Sequence, residues 1–335
     1  PGPSGPRTRR RWSVLNRLAL DDYLRGVVGS EIGSGAEYEA LKAQAVVART
    51  YTLGHRTAEI ADDTSFQVYH GFDAENEAVN RAVDETSGQV LTFQGQLAGE
   101  VCYHSTCGGH TESNENVFLT RPVAYLRGVP CTIPVPAPAA TGEMAAEEAP
   151  SQRVVTSTAL AHAHVAPVGV PTTAFTTESE TRFEMLPTAP ATGETQAAGP
   201  LACEKSSWAH WKIRWPASAV PDIAILKSSP NGRVMQIRVG GRVISGDDIR
   251  RALRYPDAVG RIRSLYSTSF TLRREGAYVV VEGSGWGHGL GLCQWGARGM
   301  AGAGRRYVDI LTHYFPGTEV TTLMAHVDQS AERRQ

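Results

Sequence analysis

Residues 284–297, SGWGHGLGLCQWGA, constrain the fold more than any other stretch of this chain. Five of the fourteen residues are glycine. Helix and strand interiors disfavour glycine, which gives up the most backbone freedom on folding. A chain that keeps this density needs positive φ angles or a close approach of backbone, so the segment reads as a shaped loop. Its polar groups are His288 and Gln294. Trp286 and Trp295 offer flat apolar faces, as sugar rings prefer.

Around this loop the pattern mixes helices and hairpins. Residues 20–28, LDDYLRGVV, carry one apolar stripe at helical spacing, with Asp21 as N-cap and Gly29 as breaker. That places Glu31 in a short loop. A second helix is predicted over 37–54, with Leu41, Ala45, Ala48 and Thr52 on one face and Lys42 and Arg49 two turns apart on one stripe. A third covers 75–87, with Ala78, Ala82 and Val83 inward. QVLTF and LAGEVCYHS read as strands around Gln94-Gly95. A further hairpin turns at Gly240-Gly241, a capped helix starts at Ser245, and FTLRREGAYVVVEG forms another hairpin. YVDILTHYF is a last helix, stopped by Pro316-Gly317. Helices and hairpins without regular strand–helix alternation predict an α+β fold with antiparallel sheet.

Residues 134–200 are of another kind. They hold seven acidic, two basic and two aromatic residues among many Ala, Pro and Thr. Such a composition buries too little apolar surface to offset its ordering entropy. It reads as a disordered insertion between residues 12–133 and 201–325, which form the folded body, with tails at 1–11 and 326–335. His162 and His164 within it make only a weak ligand pattern. The net charge of −1 argues against a nucleic-acid partner held by bulk electrostatics. No apolar run reaches the length of a membrane span. The basic start, PGPSGPRTRRRW, leads into no signal-like apolar segment and reads as a mature start.

Three sets of residues could carry chemistry. Glu31, at the end of an apolar helix, can be partly desolvated, which raises a carboxyl toward neutrality and suits it to donate a proton. Glu112 and Glu115 are the other candidates for a second acid. Cys102, His104, Cys107 and His110 are ligand types at short spacing, and looping out the insertion brings Cys131 and Cys203 to them. Zinc, a Cys131–Cys203 disulfide and unpaired buried thiols all fit that set. Cys293, in the glycine-rich loop, is left as the free thiol.

Taken together, DDYLRGVVGSEI, EALKAQAVVARTYTL, QVYHGFDAENEAVNRAVDETSGQVLTF, HSTCGGHTESNENVF, YLRGVP, GSGWGHGLGLCQWGARGMA and YVDILTHYFPGTEV resemble the stage II sporulation protein D (SpoIID) family. Its members are peptidoglycan lytic transglycosylases or amidase enhancers. The resemblance implies an enzyme with Glu31 as catalytic acid, although Gly29 stands where the family usually has proline. It further implies that Lys42, Arg49, His104, Ser105, Thr106, His288 and Gln294 serve substrate binding around a glycan cleft. A structural zinc is implied at Cys107, Cys131 and Cys203, with His104 or Cys102 as fourth ligand, and no organic cofactor. The implied partners are peptidoglycan glycan strands and a cell-wall amidase, and the implied location is extracytoplasmic. One carboxyl then suffices: Glu31 protonates the leaving oxygen and takes a proton from the sugar's C6 hydroxyl, giving a 1,6-anhydro end.

Overall fold

The computed structural model describes residues 15–55, 60–62, 66–131, 203, 210–220, 222–257 and 260–323. The tails at 1–11 and 326–335, the insertion at 134–200, and His162 and His164 lie outside these residues.

The chain is α+β. In order it forms α1 (Leu20–Ile32), α2 (Tyr38–Gly54), a 3-10 turn at Gly71–Ala74, α3 (Glu77–Glu85), β1 (Gln89–Phe93), β2 (Gln96–Leu97), β3 (Tyr103–His104) and α4 (Asn114–Val117). Then come β4 (Trp211–Pro216), β5 (Ile223–Ser228), β6 (Val234–Val239), β7 (Arg242–Ser245), α5 (Asp248–Ala252), β8 (Arg254–Pro256) and β9 (Ile262–Ser264). The last elements are β10 (Phe270–Glu275), β11 (Tyr278–Gly283), β12 (Leu292–Cys293), α6 (Gln294–Gly302), α7 (Tyr307–Tyr314) and β13 (Glu319–Thr322).

Two apolar clusters organise these elements. The first gathers α1–α3, α6, α7 and β1 around α2, whose residues from Ala40 to Thr50 are nearly all buried. A helix apolar on every side is one that other elements surround. The second cluster packs β4, β6, β11 and α5 around Ile213, Trp215, Ile237, Ile249 and Val281. Antiparallel sheets β13-β1-β2, β10-β11-β4 and β5-β6-β7 carry most of the strand pairing. The exception is β12, which pairs with β3 in parallel, matching Leu292 with Tyr103 and Cys293 with His104.

The structure moves several sequence-derived boundaries. Helix α1 does not break at Gly29 but runs to Ile32, and Gly33 ends it at φ 88°. Gly29 is needed for proximity: a Cβ there would sit 2.8 Å from the Ala74 carbonyl oxygen. Glu31 is therefore a helical residue. In α3 the inward residue is Val79, while Ala78 is exposed. LAGEVCYHS is strand only at its two ends, and Asp247, not Ser245, caps α5. Gln94 and Gly95 both adopt positive φ, as a two-residue hairpin turn requires.

The glycine-rich loop behaves as its composition demands. Gly285, Gly287, Gly289 and Gly291 all have positive φ. At Gly289 a Cβ would overlap the guanidinium of Arg233, which is 2% exposed. Gly289→Ala is expected to lower stability by roughly 2–4 kcal/mol, combining left-handed strain with overpacking. Chemical denaturation at an unchanged m-value would check it.

Candidate functional site

Glu31 is half-buried near the C-terminus of α1. Its Oε1 accepts the Val68 N–H at 2.7 Å and lies 3.1 Å from the Tyr103 hydroxyl. Gln294, the first residue of α6, also hydrogen-bonds the carboxyl. Burial raises the Glu31 carboxyl above the ordinary range, and the hydrogen bond from the Val68 N–H is the largest effect opposing that rise. Directly after Val68, the residues Tyr69, His70 and Phe72 line an open cavity of about 580 Å³.

The β3–β12 ladder explains why these groups meet. Successive strand residues point to opposite faces. Tyr103 turns toward Glu31, and Gln294, one residue past Cys293, steps to the same side. His104 and Cys293, which are register partners, face the other way. The Nδ1–H of His104 donates to the Leu290 carbonyl at 2.9 Å, and its ring lies 5.5 Å from the His288 ring. Burial depresses both imidazoles, His288 to about 4, so both are neutral at pH 7.

Of the residues that sequence and resemblance assign to substrate, the structure brings Gln294 to Glu31. Thr106 is fully buried, with its backbone paired to Trp286, and the Ser105 carbonyl accepts the Trp295 N–H at 3.0 Å. Lys42 sits 2.6 Å from Glu85, with the rings of Tyr38 and Tyr307 around its ammonium. Arg49, 1% exposed, donates to Asp21 Oδ1 from Nε at 3.0 Å and Nη2 at 2.8 Å, and to the Gln89 carbonyl. Asp21 precedes Glu31 by ten residues on one helix, about 15 Å along its axis. Arg49 ties α2 to the start of α1, away from the carboxyl. Arg49→Ala is expected to cost roughly 3 kcal/mol of stability, because it strands a partly buried Asp21. Thermal melts of the variant would check it.

Neither second-acid candidate faces Glu31. Glu112 is fully buried and accepts hydrogen bonds from Ser229 Oγ, Asn116 Nδ2, Asn231 Nδ2 and the Ser113 N–H, joining the two clusters. Glu115 forms a two-pronged pair with Arg127, both contacts at 2.7 Å, and Arg127 holds its carboxyl below the ordinary range.

The thiols also regroup. Cys107, Cys131, Cys203 and Cys293 are all buried, with their sulfurs within 4.8 Å of one another. The fourth sulfur is Cys293, not His104 or Cys102, and Cys293 is not an isolated thiol. His104 uses Nδ1 on the Leu290 carbonyl while its buried Nε2 has no hydrogen-bond partner among the described residues, and Cys102 donates to the Glu100 carbonyl at 3.6 Å, with burial pushing its pKa up to about 12. Hydrogen bonds from Cys107, Cys131 and Cys293 pull the Cys203 thiol down, while burial pushes the Cys107 thiol up. Cys293 also caps α6, its sulfur accepting the Gly296 N–H at 3.3 Å.

Spacing between Cys102 and Cys107 drew attention to the wrong partner. The stronger signal for Cys293 was its place in a loop whose glycines let other segments come close: at Gly296 a Cβ would overlap Cys131 Sγ. Tyr103 and Gln67 were missed as neighbours of the carboxyl, since nothing local marks them.

Comparison with known proteins gives the following matches. Residues 8–93, which carry α1–α3 and Glu31, match the family model described as Stage II sporulation protein, SpoIID. Residues 209–291, most of the second cluster, match a domain of unknown function, DUF8618. The chain is 29% identical over 314 residues to an uncharacterized protein of Brachyspira hyodysenteriae, covering 92% of this chain and 68% of that one. It is 27% identical over 318 residues to an amidase enhancer of Bacillus subtilis, covering 89% of this chain but 40% of that protein. It is 25% identical over 336 residues to stage II sporulation protein D of Bacillus subtilis, covering 94% and 78%. The SpoIID match thus spans α1–α3 with Glu31, and together with these relatives it supports membership of the SpoIID family.

Proposed function

We propose that the protein is a lytic transglycosylase that cleaves peptidoglycan glycan strands between N-acetylmuramic acid and N-acetylglucosamine, outside the cytoplasm, during cell-wall remodelling. The observation that carries this reading is one half-buried carboxyl, Glu31, beside a cavity whose own acids, Asp22, Asp62 and Glu75, lie on its lining. Glu31 is raised by burial, it accepts the N–H of Val68, whose next neighbours Tyr69 and His70 line an open cavity, and Glu112 and Glu115 are held by partners elsewhere. Ordinary glycosidases set two carboxyls across the bond. A single carboxyl fits a reaction that uses the sugar's own hydroxyl instead of water.

The steps balance around one proton. Glu31 gives its proton to the glycosidic oxygen, the bond to C1 breaks, and the leaving sugar departs as an alcohol. The resulting carboxylate takes a proton from the C6 hydroxyl as that oxygen bonds to C1. The products are a 1,6-anhydro end and a regenerated acid, with no water consumed. Tyr69 and Phe72 supply aromatic surface for sugar rings.

A mononuclear zinc at Cys107, Cys131, Cys203 and Cys293 completes the proposal. Four thiols suit zinc. The Cys107 and Cys203 sulfurs are 3.7 Å apart, against an edge of about 3.8 Å for a tetrahedron with 2.3 Å zinc–sulfur bonds. Arg233 adds an independent reason. Its buried guanidinium donates to the Cys107 carbonyl at 3.0 Å and forms no salt bridge among the described residues. Glu112 and Asp247 act on this cation from a distance, and a metal bound by four thiolates would add net negative charge beside it. The ion would be structural, holding the ends of the 132–202 segment and the first turn of α6.

Mass analysis of digested glycan decides the reaction. Anhydro-muramic products establish the transglycosylase. Their absence on several glycan substrates, with strand binding retained, would favour a non-catalytic amidase enhancer, the reading that the Bacillus subtilis relative's name supports.

A further inference from the structure

The hydrogen bonds behind Glu31 can be followed proton by proton. The Thr52 hydroxyl donates to the Ala48 carbonyl at 2.9 Å, so its oxygen must accept from any other partner. Gln67, fully buried, meets that oxygen at 2.8 Å and the Tyr23 hydroxyl at 3.4 Å with its amide nitrogen. The Thr52 contact fixes the amide orientation, and the Gln67 oxygen points at the Tyr103 hydroxyl, 2.9 Å away. Tyr103 therefore has one proton and two acceptors, Gln67 Oε1 at 2.9 Å and Glu31 Oε1 at 3.1 Å. Given to Gln67, that proton leaves two oxygens facing each other at Glu31. Their contact becomes a hydrogen bond only when Glu31 itself carries a proton.

We propose that Gln67 and Tyr103 are positioning residues that hold Glu31 in its protonated form, so that the acid is loaded before substrate arrives. If Tyr103 turned to donate to a Glu31 carboxylate, it would leave the buried Gln67 carbonyl unsatisfied, which is costly. The pair thus acts with burial and against the Val68 N–H. The titratable groups facing Glu31 are Tyr23 of α1, Tyr51 of α2, Tyr103 of β3 and His70 of the segment after Val68. Among the described residues, these groups include no lysine or arginine, so there the balance is set by hydrogen bonds and desolvation.

This inference rests on Glu31 being the acid, but its test does not need activity. The side-chain carboxyl of Glu31 can be titrated by carbon-13 NMR in glutamate-labelled protein and assigned by its loss in Glu31→Gln. Gln67→Leu frees the Tyr103 proton for Glu31 and is expected to lower the midpoint by about one pH unit, a tenfold loss of proton affinity. In a Tyr103→Phe background the same substitution is expected to change nothing, because the coupling runs through the phenol. Gln67→Met is read identically should the leucine variant not fold. An unchanged midpoint in Gln67→Leu, or an equal fall with and without Tyr103, overturns the proposal. If Glu31→Gln still cleaves glycan while the midpoint shifts as described, the catalytic reading fails and the network stands. The reverse pair of results removes the network alone.

Discussion

Glu31→Gln is expected to abolish glycan cleavage, with a rate loss of at least about a hundredfold, while strand binding persists. The substitution keeps the shape and the acceptor for the Val68 N–H but removes the proton that the leaving oxygen needs. The pH dependence follows from the direction of the shift. Burial raises the carboxyl, so the active, protonated form survives to a higher pH than for an ordinary glutamate and is lost as pH rises through the raised value. Linkage gives a second readout. A carboxyl that binds its proton more tightly when folded penalises the fold once pH exceeds the unfolded value, and the penalty grows until the folded value is passed. Glu31→Gln removes that cost, so the inactive variant should melt slightly higher near neutral pH. Turnover near the parent's in a folded Glu31→Gln protein would remove Glu31 from the mechanism.

Protein purified without chelator is expected to carry one zinc per chain, and Cys293→Ser is expected to lose it. Removing one ligand leaves three buried thiols, the Arg233 charge and the α6 cap without their counterpart. The loss should be roughly 3 kcal/mol or more, or about 6–12 °C in Tm for a body of this size. Cys102→Ser and His104→Ala should keep the metal, because neither side chain joins the sulfur cluster. Elemental analysis with melts reads both. Zinc retained in Cys293→Ser but lost in His104→Ala would restore the ligand set implied by resemblance. No zinc in any preparation would remove the metal.

Much of the fold was legible because local physics dictates it. Helix α2 appears at Tyr38–Gly54 from its apolar content and its terminal glycine. The β6–β7 and β10–β11 hairpins turn where glycines allow positive φ. Glu31 was marked by following an apolar stripe. Gly29 shows the limit of that reasoning. As a local signal it breaks a helix, but in the structure it remains helical because the Ala74 carbonyl packs against it. Lys42 and Arg49 share a stripe as spacing requires, yet spacing says nothing about which carboxylates they meet, and those are Glu85 and Asp21.

At the site, the sequence by itself determined the carboxyl, the glycine-rich loop and the presence of enough thiols for a metal. These follow from residue type and near-neighbour geometry. Only the tertiary structure decided which groups converge. The parallel pairing of β3 with β12, whose strands lie 189 residues apart in register, sends Tyr103 and Gln294 to Glu31 and His104 and Cys293 to the opposite side. A shift of one residue in that register would exchange the two faces. No local preference sets it; the long-range packing of the first cluster does.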